Sequence, residues 1–276
     1  MIRADLHLHT YYSDGLLSPS GLVSEAKKNG VEAIALTDHD TMTGCAETKE
    51  LCEKASIKFV SGIEISAYVD DVKLHTLGYG LDENSPAFKE FYKKLYDGSL
   101  KRADDIISKL NRAGIKITLD DALSERFSKD TPVHVMHIAS AGVKKTNVKE
   151  RFKFYNEFLS YGRPAFSNIC RPSPEQAIEA INESGGFASL AHPARIDMSK
   201  EELIGLLKRL KGVGLCGIEG VYTTHTITET AYYKEMAKAF GFVVTGGSDT
   251  HFTGGRNKIG APVFFVDEAL AEKLKI

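Results

Sequence analysis

Apolar residues in this 276-residue chain fall into short runs, separated by longer stretches where they recur every three or four positions. Eight runs read as strands: residues 2–9, 32–37, 58–65, 72–79, 187–191, 215–220, 242–245 and 262–266. The pattern between several of them is helical. A helix over about 19–29 has Ser18 as its cap, Pro19 in its first position and Gly30 as its stop. The same punctuation recurs later, where Ser173 caps, Pro174 opens and Gly185-Gly186 closes. Strand and helix alternating in this way specify an α/β protein with a parallel sheet or a β/α barrel.

Residues 81–171 break the alternation. Strand signals are few there, and Phe88, Phe91, Tyr92, Leu95 and Tyr96 recur at helical spacing, as do Ile106, Ile107 and Leu110. Such stripes are core-facing helix surfaces. The expected organisation is a barrel domain from residues 1–80 and 172–276, with 81–171 as a helical insertion between the fourth and fifth strands, capping the active-site end.

Composition narrows the classes. With 42% hydrophobic and 26% charged residues, the chain is an ordinary globular protein. A net charge of −2 offers no basic field for long duplex nucleic acid, although a local metal cluster could still bind a small anion. Cys45, Cys52, Cys170 and Cys216 form no CxxC pair and read as reduced thiols. No apolar run reaches membrane-spanning length, and MIRADLHLHT does not read as a signal peptide, so a cytoplasmic location without a membrane partner is expected.

The histidines carry the chemistry. His7 and His9 flank Leu8 at the end of the first strand, and alternate strand residues share a face, so the two imidazoles project together. Asp14 follows in the loop. His39 stands between Asp38 and Asp40 after the second strand, Glu64 near the end of the third, and His75 on the fourth. His192 and then Asp249 and His251 again follow strand-like runs. Polar groups at the C-terminal ends of successive strands mark the active-site face of a β/α barrel. Imidazole and carboxylate donors suit two or three divalent ions of the Zn, Mn or Fe kind. A metal pair would lower the pKa of a bridging water and neutralise phosphoryl oxygens, and Glu64, with two oxygens, is the obvious bridge.

The motifs DLHLHT, TDHDT, GIEIS, AHP and GSDTH, in that order between Asp5 and His251, resemble the PHP (polymerase and histidinol phosphatase) family. The resemblance implies a distorted (β/α)7 TIM-like barrel with a trinuclear metal centre. His7, His9, Glu64 and Asp249 would hold one metal. Glu64 would bridge to a second, bound also by His75 and His192, and Asp14, His39 and His251 would hold the third. The eleven-residue step from Glu64 to His75 in KLHTLGYG resembles a branch that includes nucleoside 3′,5′-bisphosphate phosphatases and TrpH-like proteins, which carry a helical insertion after the fourth strand. Tyr161–Phe166, the segment from Ala191 to Arg195, and the segment from Gly217 to Thr226 also resemble that branch. One departure is that Val135-Met136-His137-Ile138-Ala139 lacks the arginine usual two residues before this histidine, and nearby His134 does not replace it.

The resemblance therefore implies hydrolysis of a phosphomonoester by a metal-bridging hydroxide. The substrate would be a small nucleotide such as a nucleoside 3′,5′-bisphosphate, or a short oligonucleotide. The alternatives are a histidinol-phosphate phosphatase, disfavoured by the large insertion, and a non-catalytic metal-binding regulatory module, disfavoured by the complete ligand set. Glu64, Asp249, His225 and Arg195 are the expected catalytic group. Arg195, His225, His137, Arg163 and Arg171 are candidate substrate contacts, since arginine can fork onto phosphate and histidine can supply a proton. Asp40 is expected to cap the next helix, and Asp5 to orient a ligand histidine from behind.

Overall fold

The computed structural model describes residues 1–252, 254 and 258–276. The chain runs β1 (Ile2–Leu8), α1 (Pro19–Lys28), β2 (Ala33–Leu36), α2 (Cys45–Ala55), β3 (Lys58–Val69) and β4 (Val72–Tyr79). The helical block follows: α3 (Pro86–Arg112), α4 (Leu119–Leu123), α5 (Val135–Lys145), α6 (Arg151–Phe154) and a π-helical turn (Tyr155–Leu159). The barrel resumes with α7 (Pro174–Glu183), β5 (Phe187–Leu190), a 3₁₀ turn (Pro193–Arg195), α8 (Lys200–Gly212) and β6 (Gly217–Tyr222). It ends with α9 (Ile227–Phe240), β7 (Val243–Gly247), β8 (Phe264–Val266) and α10 (Glu268–Leu274). Ser18 and Ser173 cap α1 and α7 through their side chains, as their positions before Pro19 and Pro174 imply.

All eight strands join one sheet in the order β7-β6-β5-β4-β3-β2-β1-β8. The sheet nearly closes into a barrel. The Asp249 N–H donates to the His7 carbonyl at 2.8 Å, and the His9 N–H to the Thr250 carbonyl at 3.2 Å, so the chain just beyond β7 reaches the end of β1. The strands are not all parallel. Asp70 and Asp71 alone join β3 to β4, with Asp70 at φ +52°, and a link that short permits only an antiparallel hairpin. β4 and β5 are also antiparallel, and β8 adds an eighth strand antiparallel to the start of β1.

Side chains alternate between two packing layers. Ala4, Leu6, Ala33, Ala35, Val60, Leu77 and Tyr79 cluster with Leu270 and Leu274 of α10, which follows β8 at the N-terminal end of β1. Ile34, Leu36, Ile63 and Ile65 instead meet Leu22, Ile178 and Leu207 on the surrounding helices. The helical block has an apolar cluster of its own, built from Ile106, Ile107 and Leu110 of α3, Ile138 and Ala139 of α5, and Phe154. Phe88, near the start of α3, belongs to the barrel-side cluster, so this long helix ties the two together. With apolar residues filling the base and the outside, the C-terminal strand ends carry the buried polar residues: His7, His9, Glu64, Ser66, His192 and Asp249.

Candidate metal centre

Glu64 is fully buried at the middle of this polar layer. Its Oε1 lies 2.7 Å from His75 Nδ1 and 3.0 Å from His192 Nε2. Its Oε2 lies 3.2 Å from the Nε2 atoms of both His7 and His9, and 3.0 Å from His39 Nδ1. Asp249 Oδ1 closes the first group, 3.4 Å from His7 Nε2 and 3.1 Å from His9 Nε2. Asp14 gathers the other end, with Oδ1 3.2 Å from His251 Nε2 and 3.9 Å from His39 Nε2. All nine sequence-predicted ligands thus meet, in overlapping groups that share His9, His39 and Glu64.

Short distances alone do not make a metal site, but the orphaned atoms do. His7 Nε2, His9 Nε2, His39 Nδ1 and Glu64 Oε2 are buried, face one another and have no hydrogen-bond partner among the described residues. Leaving such groups unpaired is costly, and a divalent cation satisfies several lone pairs together. The residues therefore fit divalent metal. Backbone strain points the same way, since His192, Asp249 and Asp40 hold positive φ angles of 26°, 53° and 56°. Asp adopts that conformation more readily than most residues, so the strain is greatest at His192.

Electrostatics divide the imidazoles. Burial disfavours the charged form of His7, but Glu64, Glu219 and Asp249 outweigh it and hold the ring well above its usual pKa. Burial likewise opposes His9, yet Asp249 and Glu64 raise it to about 10. His39 goes the other way, pushed by burial to about 3. A protein stripped of metal therefore keeps a proton at His9 at neutral pH that an incoming cation must displace. Metal uptake at pH 7.5 is expected to release protons, and apparent affinity to rise as pH climbs from 6 towards 10. Calorimetric titration of Mn²⁺ in buffers of different ionisation enthalpy would show this as a buffer-dependent heat, and equal heats would contradict it.

The surrounding residues partly correct the sequence reading. Asp5 does not touch a ligand imidazole. Its carboxylate accepts the backbone N–H groups of Ser248 at 2.9 Å, Gly260 at 2.8 Å and His7 at 3.4 Å, holding the backbone of β1 against the chain after β7. The orienting role belongs to Glu219 on β6, which accepts His7 Nδ1–H at 2.9 Å and the His192 N–H at 2.7 Å. That bond turns His7 Nε2 towards Glu64 and Asp249. Glu219 stood in the sequence as a lone carboxylate near a strand end, a weak signal without its partner. Glu219→Gln is expected to weaken metal binding roughly 10- to 100-fold, measurable by metal-buffered titration.

Asp40 does not cap α2, whose N-cap is Gly44. Its carboxylate accepts the Ser66 N–H and pairs with Arg171, because its left-handed backbone turns it towards β3. His137 is removed from substrate contact: Nε2–H donates to the Ser13 carbonyl at 2.9 Å, and Nδ1 accepts the His134 N–H at 3.0 Å. His134 faces the site instead, stacked on His39 with centroids 4.9 Å apart. His225 sits behind Tyr222 and against Tyr233, with Nδ1 towards the Gly220 carbonyl, and is outside the cleft lining. Arg163 is exposed and Arg171 is spent on Asp40; neither lines the cleft.

Arg195 is well placed. Its Nη1 donates to the Tyr222 hydroxyl at 2.8 Å and lies 3.3 Å from Asp249 Oδ2, which also accepts the Tyr222 O–H at 2.7 Å. The ligands open into a cavity of about 630 Å³ lined also by Lys73, Tyr155, Asn156, Arg195, Phe152 and Phe252. Sequence reading missed Lys73, which the β4 alternation places on the same face as His75. No helix of the described residues is long and apolar enough to cross a membrane.

Comparison with known proteins agrees with this geometry. A model of the PHP domain matches residues 5–119. The chain is 31% identical over 256 residues to the 3′,5′-nucleoside bisphosphate phosphatase of Chromobacterium violaceum, spanning 92% of this chain and 89% of that one. It is 32% identical over 268 residues to a 5′-3′ exoribonuclease of Haemophilus influenzae, spanning 97% of each. A solved structure from Bifidobacterium adolescentis, provisionally described as a metal-dependent phosphoesterase, superposes with a TM-score of 0.85 at 27% identity, over 98% of this chain and 94% of that one.

Proposed function

Because this chain belongs to the PHP family and is a metal-dependent phosphoesterase, we propose that it removes a phosphate from a small nucleotide, a nucleoside 3′,5′-bisphosphate being the best-fitting substrate. The observation that carries this reading is the set of buried, unpartnered imidazole and carboxylate atoms opening into a cavity of nucleotide size. In this reading His7, His9, Glu64 and Asp249 hold one cation, Glu64, His75 and His192 a second, and Asp14, His39 and His251 a third, with Mn, Zn and Fe all compatible with the donors. Such cations supply Lewis acidity, which makes water nucleophilic near neutral pH and neutralises phosphoryl oxygens.

The chain's own residues do the rest. Glu64 and Asp249, buried and ionised, bring the negative charge that concentrates cations at the strand ends. Glu219 sets the direction of His7. Arg195, pinned by Tyr222 and Asp249, presents a guanidinium at the wall, where it can fork onto the phosphoryl group. The segment 81–171 acts as a cap, since His134, Met136, Phe152, Tyr155 and Asn156 all line the cavity from above the barrel.

Release of inorganic phosphate from adenosine 3′,5′-bisphosphate with Mn²⁺, against a chelator control, tests the reading. Chelator-sensitive release is expected; no release, with metals bound, would overturn the bisphosphate assignment. A second reading, 5′-3′ trimming of short RNA, is favoured by Phe152 and Phe252, which are 44% and 38% exposed at the cavity rim and offer ring faces on which bases can stack. Release of mononucleotides from a 5′-phosphorylated pentanucleotide at a rate matching the bisphosphate would establish it, and an intact pentanucleotide would dismiss it.

A further inference from the structure

Positive charge beside the metal centre exceeds what its neighbours balance. Lys73 on β4 lines the cavity and has no hydrogen-bond or ion-pair partner among the described residues. Arg102 on α3 is only 4% exposed, and its one hydrogen bond among the described residues runs from Nη2 to the Val133 carbonyl at 3.4 Å. Arg171 pairs with Asp40. Lys73 lies two positions before His75 on the same face of β4 and opens into the cavity beside it. Asp40 is already paired with Arg171, and Glu64 is already surrounded by five imidazoles. Among the described residues, two cationic side chains, Lys73 and Arg195, therefore open into the cavity that holds the ligand cluster.

An ammonium on the cavity wall with no carboxylate of its own is costly to keep there. An anion arriving in the cleft at Lys73 would offset that cost. We propose that Lys73 forms a second anion subsite, which holds a phosphate of the substrate other than the one being hydrolysed. This rests on the phosphoesterase reading of the adjoining centre and narrows its substrate class to compounds with two phosphate groups. No bond is made or broken at this subsite. Lys73 binds by charge-assisted N–H···O contacts. The insertion lacks the arginine two residues before His137, and among the described residues the lysine and arginine that line the cavity, Lys73 and Arg195, come from the barrel.

The test compares the wild type with Lys73→Met and Lys73→Arg, each at verified metal content, on adenosine 3′,5′-bisphosphate and on p-nitrophenyl phosphate, which has a single phosphate. In Lys73→Met, kcat/KM should fall at least about tenfold more for the bisphosphate than for the monoester, through KM more than kcat, and Lys73→Arg should recover most of it. Equal losses on both substrates, or none, would overturn the subsite. Binding of the bisphosphate to metal-loaded protein, followed by calorimetry, separates the two readings. If no phosphoester is turned over yet the wild type binds the bisphosphate at least about tenfold more tightly than Lys73→Met, the subsite stands and the hydrolytic reading falls. If the wild type binds it no better than the variant, the subsite falls.

Discussion

Glu64→Gln should leave a folded protein with almost no activity and a depleted metal content. The carboxylate is the one group in contact with His7, His9, His39, His75 and His192 at once, each within 3.2 Å. An amide keeps the shape but offers one neutral oxygen and an NH₂ that repels cations and points donors at imidazole lone pairs. Metal catalysis of ester hydrolysis is worth several kcal/mol, so the expected loss in kcat/KM is at least about 1000-fold. Metal analysis should show fewer bound ions per chain, while circular dichroism stays native. Unchanged activity with unchanged metal content would remove Glu64 from the centre of the mechanism.

Gly247→Ala should be the most damaging small change in the barrel. Gly247 ends β7 where the chain closes onto β1, and a Cβ there would stand 2.5 Å from both the Cβ and the backbone nitrogen of His7. Neither is the tip of a flexible side chain, so the strands themselves must separate. The expected cost is about 3 kcal/mol, at the upper end of ordinary overpacking. For a chain of this size that corresponds to a fall in Tm on the order of 6–12 °C. Because His7 moves with the strand, metal uptake should fall as well. Gly205→Ala is the control. Gly205 lies within α8, and a Cβ there meets nothing within 4 Å, so the variant should be neutral or more stable by up to about 1 kcal/mol. A Gly247→Ala protein as stable as the wild type would mean that the closure between β1 and β7 is looser than described.

The contrast between those two glycines shows what sequence can carry. Short apolar runs located the strands, and Ser-Pro caps located α1 and α7, because those signals are local. The metal-competent residues were legible for a similar reason, since most stand at or just after strand-like runs, with Asp14 in a loop and Glu64 and His75 within β3 and β4. What failed was pairing across the chain. Asp5 precedes the HxH pair and looked like an imidazole's partner, yet it binds backbone N–H groups of Ser248 and Gly260, more than two hundred residues away. Glu219 fills the role Asp5 was given, and only the barrel's closure brings it to His7. Asp40 and Arg171 each had a plausible separate task and instead neutralise one another. His137 looked free because nothing local shows that Ser13 and His134 occupy both of its ring nitrogens. Lys73 went unnoticed because a lone lysine on a strand gains meaning only when the fold opens it into the cavity beside the ligand cluster.

The most direct test of the central claim couples metal content to turnover in one preparation. Purified protein is assayed for phosphate release from adenosine 3′,5′-bisphosphate as isolated, after exhaustive chelation, and after stepwise return of Mn²⁺, with bound metal quantified at each step. Activity that vanishes on chelation and returns in proportion to bound metal is the expected result. Full activity in protein shown to be free of metal would contradict the assignment of the strand-end cluster as a metal centre.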